Sequence, residues 1–307
     1  DAFSTLFETE VQALWVASGT AANSIALACL CPPYGGVIAH EEAHIVVDEC
    51  GAPGFFTHGA TLMPLPGVGA KLTPDSVRDR LKTIRPDVHQ VPARAISITN
   101  ASEYGLVYTP LEVAALGDLA KAHDLGFHMD GARFANACAG LDVSPAELTW
   151  RAGVDVLCFS GTKNGLGFGE AVIFFDKRLA LDFEYRCKQA GQLASKMRYL
   201  SAPWVGMLQN GVWLKHAAHA NAMAALMHEL LSPVEGIEIL FPRQANSVFV
   251  EMPKSLIRYL HDLGWKFYAF IGEKGCRLMC SWDTTPEDVR SFVKDLKEGL
   301  QSTSGQS

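Results

Sequence analysis

Three short segments carry residue types that could do chemistry together. The first is Ser18-Gly19-Thr20-Ala21-Ala22-Asn23, between an apolar run at 13–17 and an Ala/Ile/Leu-rich run at 21–30. A strand that turns through Ser-Gly-Thr into a helix presents unpaired N–H groups and the positive end of a dipole. Gly19 would let a phosphate approach the backbone, and the Thr20 hydroxyl adds a donor. Alone, the segment reads equally well as a plain helix cap by Ser18 or Thr20. The second is His128-Met129-Asp130-Gly131-Ala132-Arg133. Asp130 falls just past an apolar strand, where open α/β sheets place their ligands, and could hold a protonated heterocyclic nitrogen. Alone, it is an Asp turn with Arg133 as a surface charge. The third is Cys158-Phe159-Ser160-Gly161-Thr162-Lys163-Asn164-Gly165. Lys163 follows a strand and a turn of small residues that leave room for a ligand. A desolvated lysine, or one beside other cations, loses its proton readily and becomes a nucleophile. The ordinary lysine is solvated.

The order of the three decides between these readings. A phosphate cup comes early, an Asp at a later strand end, and a Lys after the next strand. All three should lie along one edge of a sheet. Phosphate donors, a partner for a pyridinium nitrogen and an amine for an aldehyde are what pyridoxal 5′-phosphate requires.

The elements that must position these groups alternate. Apolar runs at 13–17, 37–39, 61–65, 95–99, 127–129, 154–159 and 171–175 read as strands. Helices are expected at 21–30, at 73–83 and at 111–123, the last with Thr109 as cap and Pro110 in its first turn. Residues 3–7 read as the tail of a helix. This alternation predicts an α/β fold with a mostly parallel sheet covered on both faces. Long helical stretches follow at 179–194 and 203–231. Short units then return, with strands at 237–240, 247–250, 266–269 and 277–280 and helices at 255–263 and 286–300. The expected division is a large domain over residues 1–232 and a small C-terminal α/β domain over 233–307.

Composition narrows the function classes. The chain has 307 residues, 49 % of them apolar and 19 % charged, which excludes collagen, coiled-coil and disordered classes. A formal net charge of −7 argues against a nucleic-acid platform, and the six tryptophans form no stacking ladder. The charged and polar residues within 203–231 exclude a membrane span there. The eight cysteines lack zinc-knuckle spacing and read as free thiols of a reducing, cytoplasmic compartment. No third ligand accompanies the His216/His219 pair, so no metal is expected. The chain opens at Asp1, within what reads as a helix tail, and a preceding segment is expected.

On these motifs the sequence resembles the low-specificity threonine aldolases of the beta-eliminating lyase group, fold type I pyridoxal-phosphate enzymes, and within them the L-allo-threonine and phenylserine aldolase branch. The resemblance rests on the Ser18–Asn23, His128–Arg133 and Ser160–Lys163 segments, on Glu41-Glu42-Ala43-His44 with Gly51, and on Asn136-Ala137. It runs from about residue 5 to 295. It implies a large sheet domain plus a smaller one, and cleavage of β-hydroxy-α-amino acids to glycine and an aldehyde. It implies that Ser18, Gly19 and Thr20 hold the cofactor phosphate and that His44 stacks on the ring and reaches the substrate hydroxyl. Asp130 would pair with the ring nitrogen, and Lys163 would carry the cofactor. Arg133 would meet the cofactor oxygen or the substrate carboxylate, and Arg277 the carboxylate. A homodimer or homotetramer with shared sites is implied, with one of Arg186, Lys188, Lys196 and Arg198 reaching the phosphate.

The sequence departs from the family where many members carry Glu-Asn-Thr-His. This chain has Thr99-Asn100-Ala101-Ser102-Glu103-Tyr104, so a second histidine is lacking and its task falls to His44, Ser102, Glu103 or a water. Another β-eliminating lyase or an aminotransferase would use the same cofactor groups. A nicotinamide-dinucleotide reading of Gly165-Leu166-Gly167-Phe168-Gly169 fails on its glycine spacing.

Overall fold

The computed structural model describes residues 2–303. Its first half builds one seven-stranded sheet from β1 (Gln12–Val16), β2 (Gly36–His40), β3 (Thr61–Leu65), β4 (Ala93–Thr99), β5 (Gly126–Gly131), β6 (Val156–Ser160) and β7 (Glu170–Phe174). The strand order is β1-β7-β6-β5-β4-β2-β3. The pairings from β3 through β2, β4 and β5 to β6 are parallel, and β7 runs antiparallel to both β6 and β1. The reason for the reversal is local. Only residues 161–169 join β6 to β7, too few for the crossover of a dozen or more residues that a parallel return requires.

Both faces of the sheet are buried. In β6, Val156 and Cys158 enter the core beneath the Gly19–Leu30 helix, while Leu157 and Phe159 enter the core on the other side. In β7, Val172 and Phe174 divide from Ala171 and Ile173 in the same way. The two-residue period of a strand therefore appears as a continuous apolar run, as expected where helices cover both sides. The Pro110–Ala122 helix begins as predicted, with Thr109 and Glu112 forming a reciprocal capping box and Pro110 in the first turn.

A second sheet of four antiparallel strands forms from β8 (Glu238–Ile239), β9 (Ser247–Glu251), β10 (Tyr268–Ile271) and β11 (Gly275–Met279), in the order β10-β11-β9-β8. It has its own core with the Lys254–Asp262 and Pro286–Thr303 helices. The Val212–Leu231 helix joins the two cores. Trp213 and Ala217 pack into the first, and Ala224, Met227 and Leu231 into the second.

The long helical stretches differ from expectation. The one expected at 179–194 is a 3-10 turn, Lys177–Ala180, followed by the short helix Phe183–Gln189. That expected at 203–231 begins earlier, as Arg198–Leu208 with Pro203 inside it, and breaks at Gln209–Gly211. There Asn210 and Gly211 adopt φ of 52° and 65°, the left-handed region that an α-helix cannot continue through. Phe134–Leu141 forms a helix not expected from the sequence. Among the described residues no helix is long and apolar enough to cross a membrane.

Candidate active site

The carboxyl ends of the parallel strands lie along one edge of the sheet, and the motif residues follow those ends. Ser18 comes after β1, His44 after β2, Glu103 after β4, Asp130 next to the end of β5 and Lys163 after β6. Glu170 opens the antiparallel β7 at the same edge, directly opposite Ser160. Together they enclose a cleft of about 420 Å³. Every site residue expected from the sequence lines it: Ser18, Gly19, Thr20, His44, Asp130, Arg133, Lys163 and Arg277. Arg277 arrives from β11 of the second sheet, with its guanidinium stacked 4.2 Å from the centre of the Phe270 ring.

At one end of the cleft Ser18 caps the Gly19–Leu30 helix, its Oγ accepting from the Ala21 N–H at 3.3 Å. The space where a Gly19 side chain would stand holds no atom within 4 Å. The twelve-residue helix thus offers an unobstructed N-terminus, the setting in which backbone amides bind phosphate.

The centre holds a connected polar chain. Asp130 Oδ1 accepts from the Ala132 N–H at 2.9 Å, and Oδ2 accepts from Asn23 Nδ2 at 2.8 Å. The same Asn23 amide donates to Glu49 Oε1 at 2.9 Å, and His44 Nδ1 donates to that oxygen at 2.9 Å. The Glu49 carboxylate raises the His44 pKa by hydrogen bonding to its ring. Asn23, Glu49 and Asp130 are all buried. Asn23 and Glu49 position the residues that the sequence singled out. Asn23 lies inside a quoted motif, yet nothing in its type marked it, and Glu49 had no signal in its spacing.

Lys163 sits on the 3-10 turn Thr162–Asn164, its backbone N–H donating to Ser160 Oγ at 3.2 Å. Glu170 Oε2 accepts from the Gly161 N–H at 2.9 Å, which anchors this turn to the sheet. The cleft walls desolvate the ammonium, and the Arg133 guanidinium repels it, so the Lys163 pKa is held below the ordinary lysine range. Arg133 is itself lowered to about 10, first by desolvation and then by Arg277. Two guanidiniums, Arg133 and Arg277, thus favour loss of the Lys163 proton, and the Asp130 carboxylate opposes it.

Other named residues lie elsewhere. His128 is buried behind the cleft, with Nδ1 2.8 Å from Ser97 Oγ and Nε2 3.3 Å from Cys158 Sγ, and burial lowers its pKa to about 4. Ser102 is turned away, its hydroxyl donating to Gly69 O at 2.8 Å, so Glu103 is the residue of that segment that lines the cleft. Arg186, Lys188, Lys196 and Arg198 do not line it in the single chain. The ring nitrogens of His216 and His219 meet the carbonyls of Asn164 and Thr284 at 3.0 Å and 2.7 Å. Gly165 to Gly169 run directly into β7 without a helix, so the dinucleotide fingerprint has no context here. The cysteines were expected to be buried free thiols; all eight are free, six are buried, Cys29 is half-buried and Cys50 is exposed.

A seven-stranded sheet of this order, with an amine, a carboxylate and a helix N-terminus facing one cleft, defines the fold type I class of pyridoxal-phosphate enzymes. Residues 1–255 match the family model "Beta-eliminating lyase". A low specificity L-threonine aldolase of Pseudomonas aeruginosa is 53 % identical over 97 % of this chain and 86 % of its own length. Its counterpart from Pseudomonas sp. (strain NCIMB 10558) is 52 % identical over the same shares. The solved Leishmania major threonine aldolase superposes with a TM-score of 0.89 at 27 % identity, covering 97 % of this chain and 87 % of that one. The chain belongs to the beta-eliminating lyase family and, within it, to the low-specificity L-threonine aldolases.

The residues present fit pyridoxal phosphate. The open cradle at Gly19 suits its phosphate, and Asp130 suits its ring nitrogen. Lys163 supplies the amine. Three buried polar atoms at the cleft lack partners within the protein, Asn23 Oδ1, Glu49 Oε2 and Glu103 Oε2. Such atoms are costly to bury unless something completes them.

Proposed function

We propose that this chain cleaves β-hydroxy-α-amino acids, threonine, allo-threonine or phenylserine among them, into glycine and an aldehyde. The observation that carries this reading is the convergence of Lys163, Asp130, the Ser18–Thr20 turn and two arginines on one cleft. Relatives more than half identical to the chain are named low specificity L-threonine aldolases, which supports it.

Pyridoxal phosphate, when bound, accepts the electron pair released as the Cα–Cβ bond breaks. Ser18, Gly19 and Thr20 would bind its phosphate, and Asp130 would hold its ring nitrogen protonated. Lys163, deprotonated more readily than an ordinary lysine, would carry the cofactor and give way to the substrate amine. Arg133 and Arg277 would grip the substrate carboxylate. That grip fixes which bond at Cα can break. His44, oriented by Glu49, would lie against the ring and contact the substrate hydroxyl.

The chain would work in the cytoplasm as a homodimer or homotetramer. One of Arg186, Lys188, Lys196 and Arg198 would then reach a phosphate, in its own subunit or a neighbour's. We place the division between the large and small domains at 232/233, just after the shared helix.

The test is direct. The purified protein, supplied with pyridoxal phosphate and L-threonine, should release glycine and acetaldehyde in equal amounts. Release of ammonia and a keto acid instead would make it an eliminating lyase.

A further inference from the structure

We propose that Glu103 is a catalytic residue of the aldol cleavage, the carboxylate that takes the proton from the substrate β-hydroxyl through its free oxygen. The proposal rests on the threonine aldolase reading above.

The geometry of the side chain supports it. Glu103 is 8 % exposed and lines the cleft. Its Oε1 accepts two hydrogen bonds, from Thr99 Oγ1 at 2.8 Å and from the His44 N–H at 3.0 Å. Those two donors, one from each neighbouring strand end, fix the carboxyl plane. Oε2 is buried and has no partner in the protein. An oxygen fixed in this way and left unsatisfied awaits a donor, and a substrate hydroxyl is one.

The alternatives on the same rim are less suited to accept a proton. Ser102 spends its hydroxyl on Gly69, and His44 gives Nδ1 to Glu49. His44 has only Nε2 left to offer, and Glu49 favours the protonated ring, in which Nε2 donates rather than accepts. The charged and titratable groups that act on Glu103 are Asp130 from β5, Arg133 from the turn after it, Arg277 from β11 and the neighbouring Tyr104 and Tyr108. Burial dominates and raises the Glu103 pKa to about 7, where a carboxylate can both accept and return a proton at neutral pH.

The step balances. The O–H bond of the substrate breaks and its proton passes to Glu103 Oε2. The O–H pair becomes the second C=O bond of the aldehyde. The Cα–Cβ pair stays with the glycyl fragment, which takes one proton at Cα. Glycine and aldehyde together hold every atom of the substrate.

The test uses the holoenzyme and Glu103→Gln, which keeps an acceptor for Thr99 and His44 but cannot take a proton. Threonine cleavage should fall in kcat by about 10²–10⁴-fold, the usual contribution of a positioned base. Exchange of the glycine Cα hydrogen in D2O, which involves no β-oxygen, should persist. Cleavage within about threefold of wild type would overturn the proposal. Equal loss of cleavage and exchange would also overturn it, since a merely structural role predicts that result. A wild type that exchanges glycine but cleaves no β-hydroxy-α-amino acid would instead sink the activity itself. Infrared pH-difference spectra give a readout free of turnover. The wild type should show a carboxylic acid band lost near neutrality and absent from Glu103→Gln. Should the variant fail to bind the cofactor, the wild-type band decides alone. Its displacement by L-threonine but not by glycine supports the role, and its absence overturns it.

Discussion

Burial raises the pKa of the Glu103 carboxyl, and the effect on stability can be given a sign. Its folded pKa of about 7 lies above the ordinary glutamate value of 4.5. Between those values the folded state holds more protons than the unfolded one, so stability is lost as pH rises through this window. The raised pKa of His44 acts in the same direction above its unfolded value. The lowered pKa of His128, about 4, acts oppositely, removing stability as pH falls below the unfolded value. Wild-type stability alone is therefore a poor probe. The difference between Glu103→Gln and wild type isolates the one carboxyl. Urea denaturation should show the variant gaining on wild type from pH 5 to pH 8, by on the order of 3 kcal/mol at full shift. A difference independent of pH would mean that Glu103 is ionised freely in the fold. The sequence named Glu103 among several candidates, and packing singled it out: only the turn at Ser102 shows which side chain meets the cleft.

At the scale of elements, the Asp130-Gly131-Ala132-Arg133 motif explains its own glycine. Gly131 ends β5 where that strand lies against β6. A Cβ there would stand 2.6 Å from Leu157 Cδ1 and 2.7 Å from the Cys158 carbonyl oxygen. The strand cannot move away without moving Asp130. Gly131→Ala should cost about 1–3 kcal/mol by overpacking and weaken cofactor binding with it. A variant as stable as wild type in denaturant would show that β5 and β6 can separate there. Most strands were legible because their apolar runs are bounded by turn residues, and the 61–65 run coincides with β3. The broken helix at Gln209–Gly211 was not legible, because composition stays helical through a break set by two left-handed residues. Glu49 and Glu170 were also missed. Each acts through a partner distant in sequence or across a strand pair, and neither has a motif spacing.

At the scale of the whole molecule, the apolar residues of 203–231 divide their allegiance. Trp204, Met207 and Trp213 are buried within their own chain, which answers part of the sequence argument for a partner. Val205 remains exposed at 55 %, and Tyr185 at 80 % and Tyr199 at 64 % are exposed in the preceding segment that carries the unassigned cations. Apolar surface of this kind beside Arg186, Lys188, Lys196 and Arg198 suits a symmetric neighbour. Light scattering should give at least a dimer mass. Val205→Glu, which places a charge on the exposed patch, should shift the protein toward monomer and lower its activity. A monomeric wild type with full activity on dilution would remove the shared-site proposal.

The proposed function stands or falls with Lys163 as the amine that holds pyridoxal phosphate in this cleft. Borohydride reduction of the holoenzyme makes that link permanent, and peptide mapping then locates it. A single pyridoxyl group is expected on Lys163, and none after Lys163→Ala. A pyridoxyl group on any other lysine would contradict it, as would a cofactor-loaded protein that borohydride leaves unlabelled.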